Sequence, residues 1–277
     1  MKVILVYFSP NTTTQKISGE LAALFRKDQH EVLELNIGAR ENRDFQKIDL
    51  GIFNDADLIG IGSPVYHMRM MHTLTSFLEF SLPKICSKNK KAKSFMYLTY
   101  AGITTGKAFI NTAKLFKALD IPIIGAFKVK APHFWHLDGY PDQEAIGTIN
   151  QFYSKMSQNG FRKISWDKIE KMFTCQKTLV KLIYPLVGVI GKVRELPIDI
   201  DKQKCIKCKK CVNECPVNAM EMDVYPVRNK KKCIYCYHCT TLCPKNAVVF
   251  DVSKIEGMAA MNIKVIGEEQ PQNQIFI

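Results

Sequence analysis

The 277-residue sequence predicts an α/β chain: an open, doubly wound sheet of five parallel strands, followed by a small α+β domain built around cysteines. Three observations predict it. Short apolar runs alternate with segments of helical period through residues 1–160. The first run, Lys2-Val3-Ile4-Leu5-Val6-Tyr7-Phe8, is apolar on both faces, as a central parallel strand must be. Eight of the ten cysteines fall into two copies of one run, Cys205-x2-Cys208-x2-Cys211-x3-Cys215-Pro216 and Cys233-x2-Cys236-x2-Cys239-x3-Cys243-Pro244.

Taken in order, the first strand is followed by a polar turn and then by Ile17, Leu21, Leu24 and Phe25 at helical spacing. Further strands are expected at 31–35, 57–62, 93–99 and 121–129, with helices at 70–80, 107–119 and 142–158. Open sheets of this kind bind ligands beyond the carboxyl ends of their strands. The loops there are therefore where chemistry is expected. In Ser9-Pro10-Asn11-Thr12-Thr13-Thr14, hydroxyls and backbone N–H groups at a helix N-terminus suit a phosphate monoester, the plainer reading being an N-cap. In Gly62-Ser63-Pro64-Val65-Tyr66-His67, an apolar and aromatic wall with nearby backbone groups suits a flat ring, the plainer reading being a turn with a core tyrosine.

The cysteine runs have a physical reason. A cubane cluster takes four thiolates, and a tight Cys-x2-Cys-x2-Cys loop supplies three of them while the fourth comes from elsewhere. Pro216 and Pro244 turn the chain away after the last cysteine, and the tails that begin there repeat with them. Zinc takes paired hooks without the third cysteine or the Cys-Pro ending. Disulfides would require an oxidising compartment, whereas the N-terminus has one lysine and a short apolar run leading straight into folded pattern; a cytoplasmic, unprocessed chain is expected. Cys86 and Cys175 lie outside both runs and read as buried packing.

With both parts in view, residues 2–252 resemble the family of flavodoxin/ferredoxin fusion proteins, an N-terminal flavodoxin-like domain preceding a bacterial-type two-cluster ferredoxin domain. The first loop is similar to a flavodoxin phosphate loop, with Asn11 and Thr12 where the usual form has threonine and glycine. The resemblance implies FMN and two 4Fe-4S clusters. It implies Ser9, Asn11, Thr12, Thr13 and Thr14 at the phosphate, and Ser63, Pro64, Val65 and Tyr66 against the flavin ring. Along the pyrimidine edge it implies Thr99, Tyr100, Ala101, Gly102 and Gly106, from the loop that closes on Ile103-Thr104-Thr105-Gly106. In two-cluster ferredoxins the last cysteine of each run serves the other cluster. By that resemblance Cys205, Cys208, Cys211 and Cys243 hold one cluster and Cys233, Cys236, Cys239 and Cys215 the other.

The expected organisation is a flavodoxin-like domain at 1–160, a helical connector at 161–197, the cluster domain at 198–252 and a tail at 253–277. Ile169, Met172, Phe173, Leu179, Val180 and Ile183 recur at helical intervals before Pro185, so the connector reads as a packed helix. The apolar stretch 182–190 is too short to span a bilayer and reads as an interdomain or self-association face, with peripheral membrane contact as the alternative. Segment 129–141, with Phe134, Trp135, His133 and His136, reads as an aromatic loop that covers the flavin or packs on the sheet, and neither histidine reads as a metal ligand.

The formal charge is +13, with Lys204, Lys207, Lys209, Lys210, Lys230, Lys231 and Lys232 crowded around the cluster ligands. Two clusters and a flavin phosphate, each about −2, lower this to roughly +7. The lysines read as offsetting cluster charge or as steering an acidic redox partner such as a ferredoxin. Nucleic acid is not expected, because Tyr235 and Tyr237 lie among the ligands and are explained as packing over the cubanes. No G-x-G-x-x-G fingerprint occurs, so no nicotinamide site is expected. The leading function is electron transfer between FMN and the clusters, relaying electrons between partner proteins. A flavin-dependent reductase of a small molecule is the second reading, requiring an open cavity near Tyr66, Tyr100 or Trp135. A third treats the clusters as supports for a basic binding surface.

Overall fold

The structure is a computed structural model and describes residues 1–132, 138–173, 198–267 and 272–277. Strand β1 (Lys2–Tyr7) is buried from Val3 onward and leads to α1 (Thr13–Lys27), whose Ile17, Leu21 and Phe25 pack on the sheet. There follow β2 (Glu31–Asn36), β3 (Leu58–Tyr66), β4 (Arg69–Met70), α2 (His72–Lys88), β5 (Lys93–Tyr100), α3 (Ala108–Ala118), β6 (Ile123–Lys130), α4 (Gln143–Gln158) and α5 (Trp166–Phe173). The parallel strands lie in the order β2-β1-β3-β5-β6. This is the flavodoxin-like winding, in which the chain leaves β1 in one direction and β3 in the other, opening a crevice between the loops that follow them. Period-2 side chains divide the core between the two faces. Leu5, Phe95 and Phe127 meet α1 and α4 on one side, while Ile4, Met96 and Ala126 meet α2, α3 and α5 on the other.

Two elements run further than their local sequence suggests. Strand β3 does not stop at Gly62 but continues through Pro64, which pairs with Thr99, so most of the expected second loop is strand. The chain reverses at His67 and Met68, both at positive φ (48° and 60°), and Val65 pairs back to Met70. Ser63 Oγ accepts from the Met71 N–H at 3.0 Å and pins this hairpin. Helix α2, expected to end near residue 80, passes through Pro83 to Lys88. Proline removes one helical hydrogen bond, but Ser81, Leu82 and Ile85 are buried in the core and hold the helix on line.

The cysteine-rich part has its own small core of Ile198, Cys211, Cys215, Ala219, Met220, Tyr237 and Val248. Its strands β7 (Ile198–Ile200) and β10 (Val248–Phe250) pair antiparallel, as do β8 (Met220–Met222) and β9 (Pro226–Arg228). Within the expected tail at 253–277, the described residues carry two elements. Helix α6 (Val252–Ile266) leads to β11 (Gln274–Phe276), which pairs antiparallel with β6 and extends the first domain's sheet. Phe276 packs against Phe109 and Phe173, with centroids 5.4 and 5.5 Å apart. The chain thus crosses to the cluster domain and returns. A three-residue strand shows no readable alternation, so its docking depends on the phenylalanine pocket already formed by α3 and α5. The expected connector is divided likewise: Ile169 and Phe173 of α5 are buried in the first domain's core. Cys175, Leu179, Val180, Ile183, Pro185 and the stretch 182–190 lie outside the described residues, as do His133, Phe134, Trp135 and His136. Among the described residues no helix is long and apolar enough to cross a membrane.

Candidate redox sites

The cysteine repeat reappears in the backbone. Lys207, Lys209 and Asn218 have φ of 57°, 60° and 51°, and their repeat mates Tyr235, Tyr237 and Asn246 have 54°, 58° and 49°. Left-handed residues at alternate positions coil each Cys-x2-Cys-x2-Cys run tightly enough to aim its thiols to one side. After the turn the matching N–H groups of Ala219 and Ala247 donate to Cys215 Sγ and Cys243 Sγ, both at 3.1 Å.

Two cavities result, with about 350 and 330 Å³ of space outside the atoms. Cys205, Cys208, Cys211 and Cys243 surround the first, together with Ile200, Pro226 and Val248. Cys215, Cys233, Cys236 and Cys239 surround the second, together with Ile198, Met220 and Tyr237. The fourth thiol of each cavity comes from the other run. Among the described residues no three His, Cys, Asp or Glu side chains are placed to share a single ion. The thiols stand around a volume, which fits a polynuclear cluster with thiolates at its corners.

Burial pushes the Cys211 thiol up to about 11 and Cys239 up to about 12, with neighbouring thiols adding to the effect, and raises Cys236 further. Cluster assembly must therefore expel protons. At Cys243 burial also pushes upward, but N–H groups of Lys245, Ala247, Val248 and Asn246 outweigh it and the thiol is lowered.

At the carboxyl ends of β1, β3 and β5 the structure brings the three expected loops together. Ser9 is anchored by both its groups: its N–H donates to Asn36 Oδ1 at 3.2 Å, and its Oγ accepts from the Gln15 N–H at 3.0 Å. Thr12 has φ 62°, the left-handed conformation that a glycine would adopt freely, so threonine here keeps the shape of the loop at some strain. The Thr14 and Thr99 hydroxyls pair at 2.9 Å and join the first loop to the third. Gly106 has φ 56° and packs on Met68, while Lys107 N–H donates to the Met68 carbonyl at 2.8 Å, joining the third loop to the second. Tyr100 is buried and its hydroxyl donates to the Gln272 carbonyl at 2.9 Å. Ser63 is buried, Pro64, Val65 and Tyr66 are half-buried, Ala101 is half-buried and Gly102 buried.

The site suits a phosphorylated polyhydroxyl ligand. The first turn of α1 carries no carboxylate, Thr12 is exposed and Thr13 half-exposed beside the helix N-terminus, and Asn11 Oδ1 is buried with no donor. FMN would supply the phosphate to the first and hydroxyl donors to the second.

The contact between the two domains was not readable beforehand. Asn11 Nδ2 donates to the Cys236 carbonyl, and Arg43 Nη1 donates to Asn218 Oδ1 at 3.2 Å. Ile234 packs against the core of the first domain. The Tyr66 phenol is raised by burial and, beyond that, by Cys236, Tyr237 and Cys233 beside it. These partners lie up to 225 residues apart in the chain, and no local pattern marks them.

Residues 204–254 match the family described as a 4Fe-4S dicluster domain. Comparison with curated proteins returns no match. Among solved structures, a flavodoxin from the domain Archaea is 14% identical, with 58% of this chain and 100% of that chain covered and a TM-score of 0.45. Oxidised flavodoxin 1 from Bacillus cereus is 12% identical, covering 57% and 98%, with a TM-score of 0.42. Rubredoxin oxygen:oxidoreductase from the anaerobe Desulfovibrio gigas is 17% identical over 58% of this chain and 37% of its own, with a TM-score of 0.40. The fold assignment rests on the strand order rather than on these likenesses. A flavodoxin-like α/β domain joined to a 4Fe-4S dicluster domain defines a redox protein built for electron transfer, in the architecture of a flavodoxin/ferredoxin fusion.

Proposed function

We propose that the protein relays electrons between partner proteins, with FMN at the three sheet-end loops and a 4Fe-4S cluster in each crossed cysteine set. The supporting observation is the seating of the Cys233–Cys239 loop on the flavin loops, through Asn11 to the Cys236 carbonyl and Tyr66 beside Cys233 and Cys236. FMN exchanges electrons singly or in pairs, whereas each cluster exchanges one. Residues of this chain set the rest. Ser9, Thr12, Thr13 and the N-terminus of α1 hold the phosphate, the strand-borne Pro64, Val65 and Tyr66 face the ring, and the hairpin at Met68 is braced by Gly106. Residues 1–132 and 138–173 with β11 make up the flavin unit and 198–250 the cluster unit, in which Cys211, Cys215 and Cys236 are buried and Cys208 is exposed.

The relay reading is favoured over a small-molecule reductase because the cluster loop lies on Tyr66 and the Gln272 carbonyl occupies the Tyr100 hydroxyl. Anaerobically reconstituted protein should contain about eight irons and one FMN per chain, and show both centres in a redox titration followed by optical and EPR spectra. Cys236→Ala should lose about half the iron and the delivery of electrons between flavin and protein partner. Unchanged delivery with one cluster missing would remove the relay.

A further inference from the structure

The two cysteine sets differ in what surrounds them. The contacts described above between the cluster unit and the first domain come from the side of Cys215, Cys233, Cys236 and Cys239. The opposite set opens to solvent, where Cys208 is exposed and Cys205 half-buried. Around it the segment Lys202-Gln203-Lys204-Cys205-Ile206-Lys207-Cys208-Lys209-Lys210 places five lysines in nine residues with no carboxylate among them. Asp201 next to it is already engaged, accepting from the Gln203 and Lys204 N–H groups and pairing with Lys204 Nζ at 3.4 Å. The ammonium groups of Lys202 and Lys207 lie 5.8 and 4.5 Å from the centre of the Tyr225 ring, which ties the β8–β9 hairpin to this segment. The same two segments carry two aliphatic side chains in water, Ile206 beside Lys207 at 57% exposure and Val224 beside Tyr225 at 63%.

We infer that this surface, with Ile206 and Val224 exposed among Lys202, Lys207, Lys209 and Lys210 and the Tyr225 hairpin, is the docking face for an acidic one-electron carrier protein. The inference rests on the electron-transfer reading and specifies its entry point. Charge complementarity names the occupant. Lysines that only balanced a cluster would need no apolar centre, whereas a transient redox contact combines a small desolvated core with a steering rim of opposite charge. The exposed Cys208 brings a cluster ligand to this surface, whereas Asn11 and Tyr100 of the sheet-end loops are already engaged by the Cys236 and Gln272 carbonyls. One electron passes per encounter between the carrier and this chain, one partner being oxidised as the other is reduced, and no bond forms or breaks.

The test measures binding as well as turnover. The reconstituted full chain is titrated calorimetrically with an oxidised, acidic 2Fe-2S ferredoxin at low ionic strength, with iron and flavin determined on each sample. Lys202→Glu/Lys207→Glu should weaken binding about tenfold or more. Lys88→Glu/Lys90→Glu, on exposed residues of the other domain, changes net charge equally and should alter it less than about twofold. Val224→Asp, outside the cysteine runs, should reproduce the first result with full iron content, so a folding defect in the lysine variant does not decide the matter. Equal weakening by both lysine pairs, no effect of Val224→Asp, or no binding of the ferredoxin at all would overturn the assignment. A sample lacking flavin would sink the relay and leave the docking result standing.

Discussion

Replacing Gly106 by alanine tests whether the second and third loops form one rigid flavin platform. At φ 56° an alanine pays about 1–2 kcal/mol of left-handed strain. Its Cβ would also lie 2.0 Å from Met68 Cβ and 2.5 Å from the Met68 carbonyl oxygen. Carbon atoms in contact rest about 3.5–4.0 Å apart, so the Met68 hairpin must retreat by roughly 1.5 Å or more. Overpacking of that kind costs about 1–3 kcal/mol, for a total of about 2–5 kcal/mol. Gly160 is the control: its φ is 60°, yet nothing lies within 4 Å of an added Cβ. Gly160→Ala should cost only the strain, about 1–2 kcal/mol. Urea denaturation of anaerobic protein gives both stabilities, and quenching of FMN fluorescence gives flavin affinity, which should fall in the Gly106 variant alone because Met68 adjoins Tyr66. Equal destabilisation by the two substitutions, or undiminished flavin affinity in Gly106→Ala, would refute the coupling of the loops through Met68.

Phe276→Ala should cost about 3–5 kcal/mol, because a residue only 8% exposed would lose its edge contacts with the stacked Phe109 and Phe173 rings; hydrogen exchange should show β11 amides deprotected before those of β1. Tyr97→Phe should cost about 1–3 kcal/mol by stranding the buried Ser18 hydroxyl, now 2.5 Å from the Tyr97 hydroxyl. Adding Ser18→Ala should recover part of that loss in thermal unfolding, as a double-mutant cycle requires of a direct pair.

Local pattern carried much of this molecule. The five parallel strands read correctly, four of them because each is a short apolar run, the edge strand β2 being mixed and largely exposed; their helices did so because Ile17, Leu21 and Phe25 and their counterparts recur at helical period. Errors gathered where tertiary contacts outweigh local preference: Pro64 inside β3, Pro83 inside α2, and the short strand β11. At the first loop the missing glycine read as a departure, yet Thr12 takes the same left-handed conformation because Ser9, Asn36 and Gln15 hold the backbone on either side.

The cysteine spacing by itself determined the class of chemistry, since a Cys-x2-Cys-x2-Cys loop places three of a cubane's four thiolates within seven residues and the repeat of that run supplies the fourth. Which set of four faces the flavin loops, and which faces solvent beneath the lysines, was decided only when the chain folded. Those relations depend on single hydrogen bonds such as Asn11 to Cys236 and on an edge strand returning from the far end of the chain. Such contacts join residues whose separation in sequence is large and whose side chains are unremarkable by type, so no period or motif announces them.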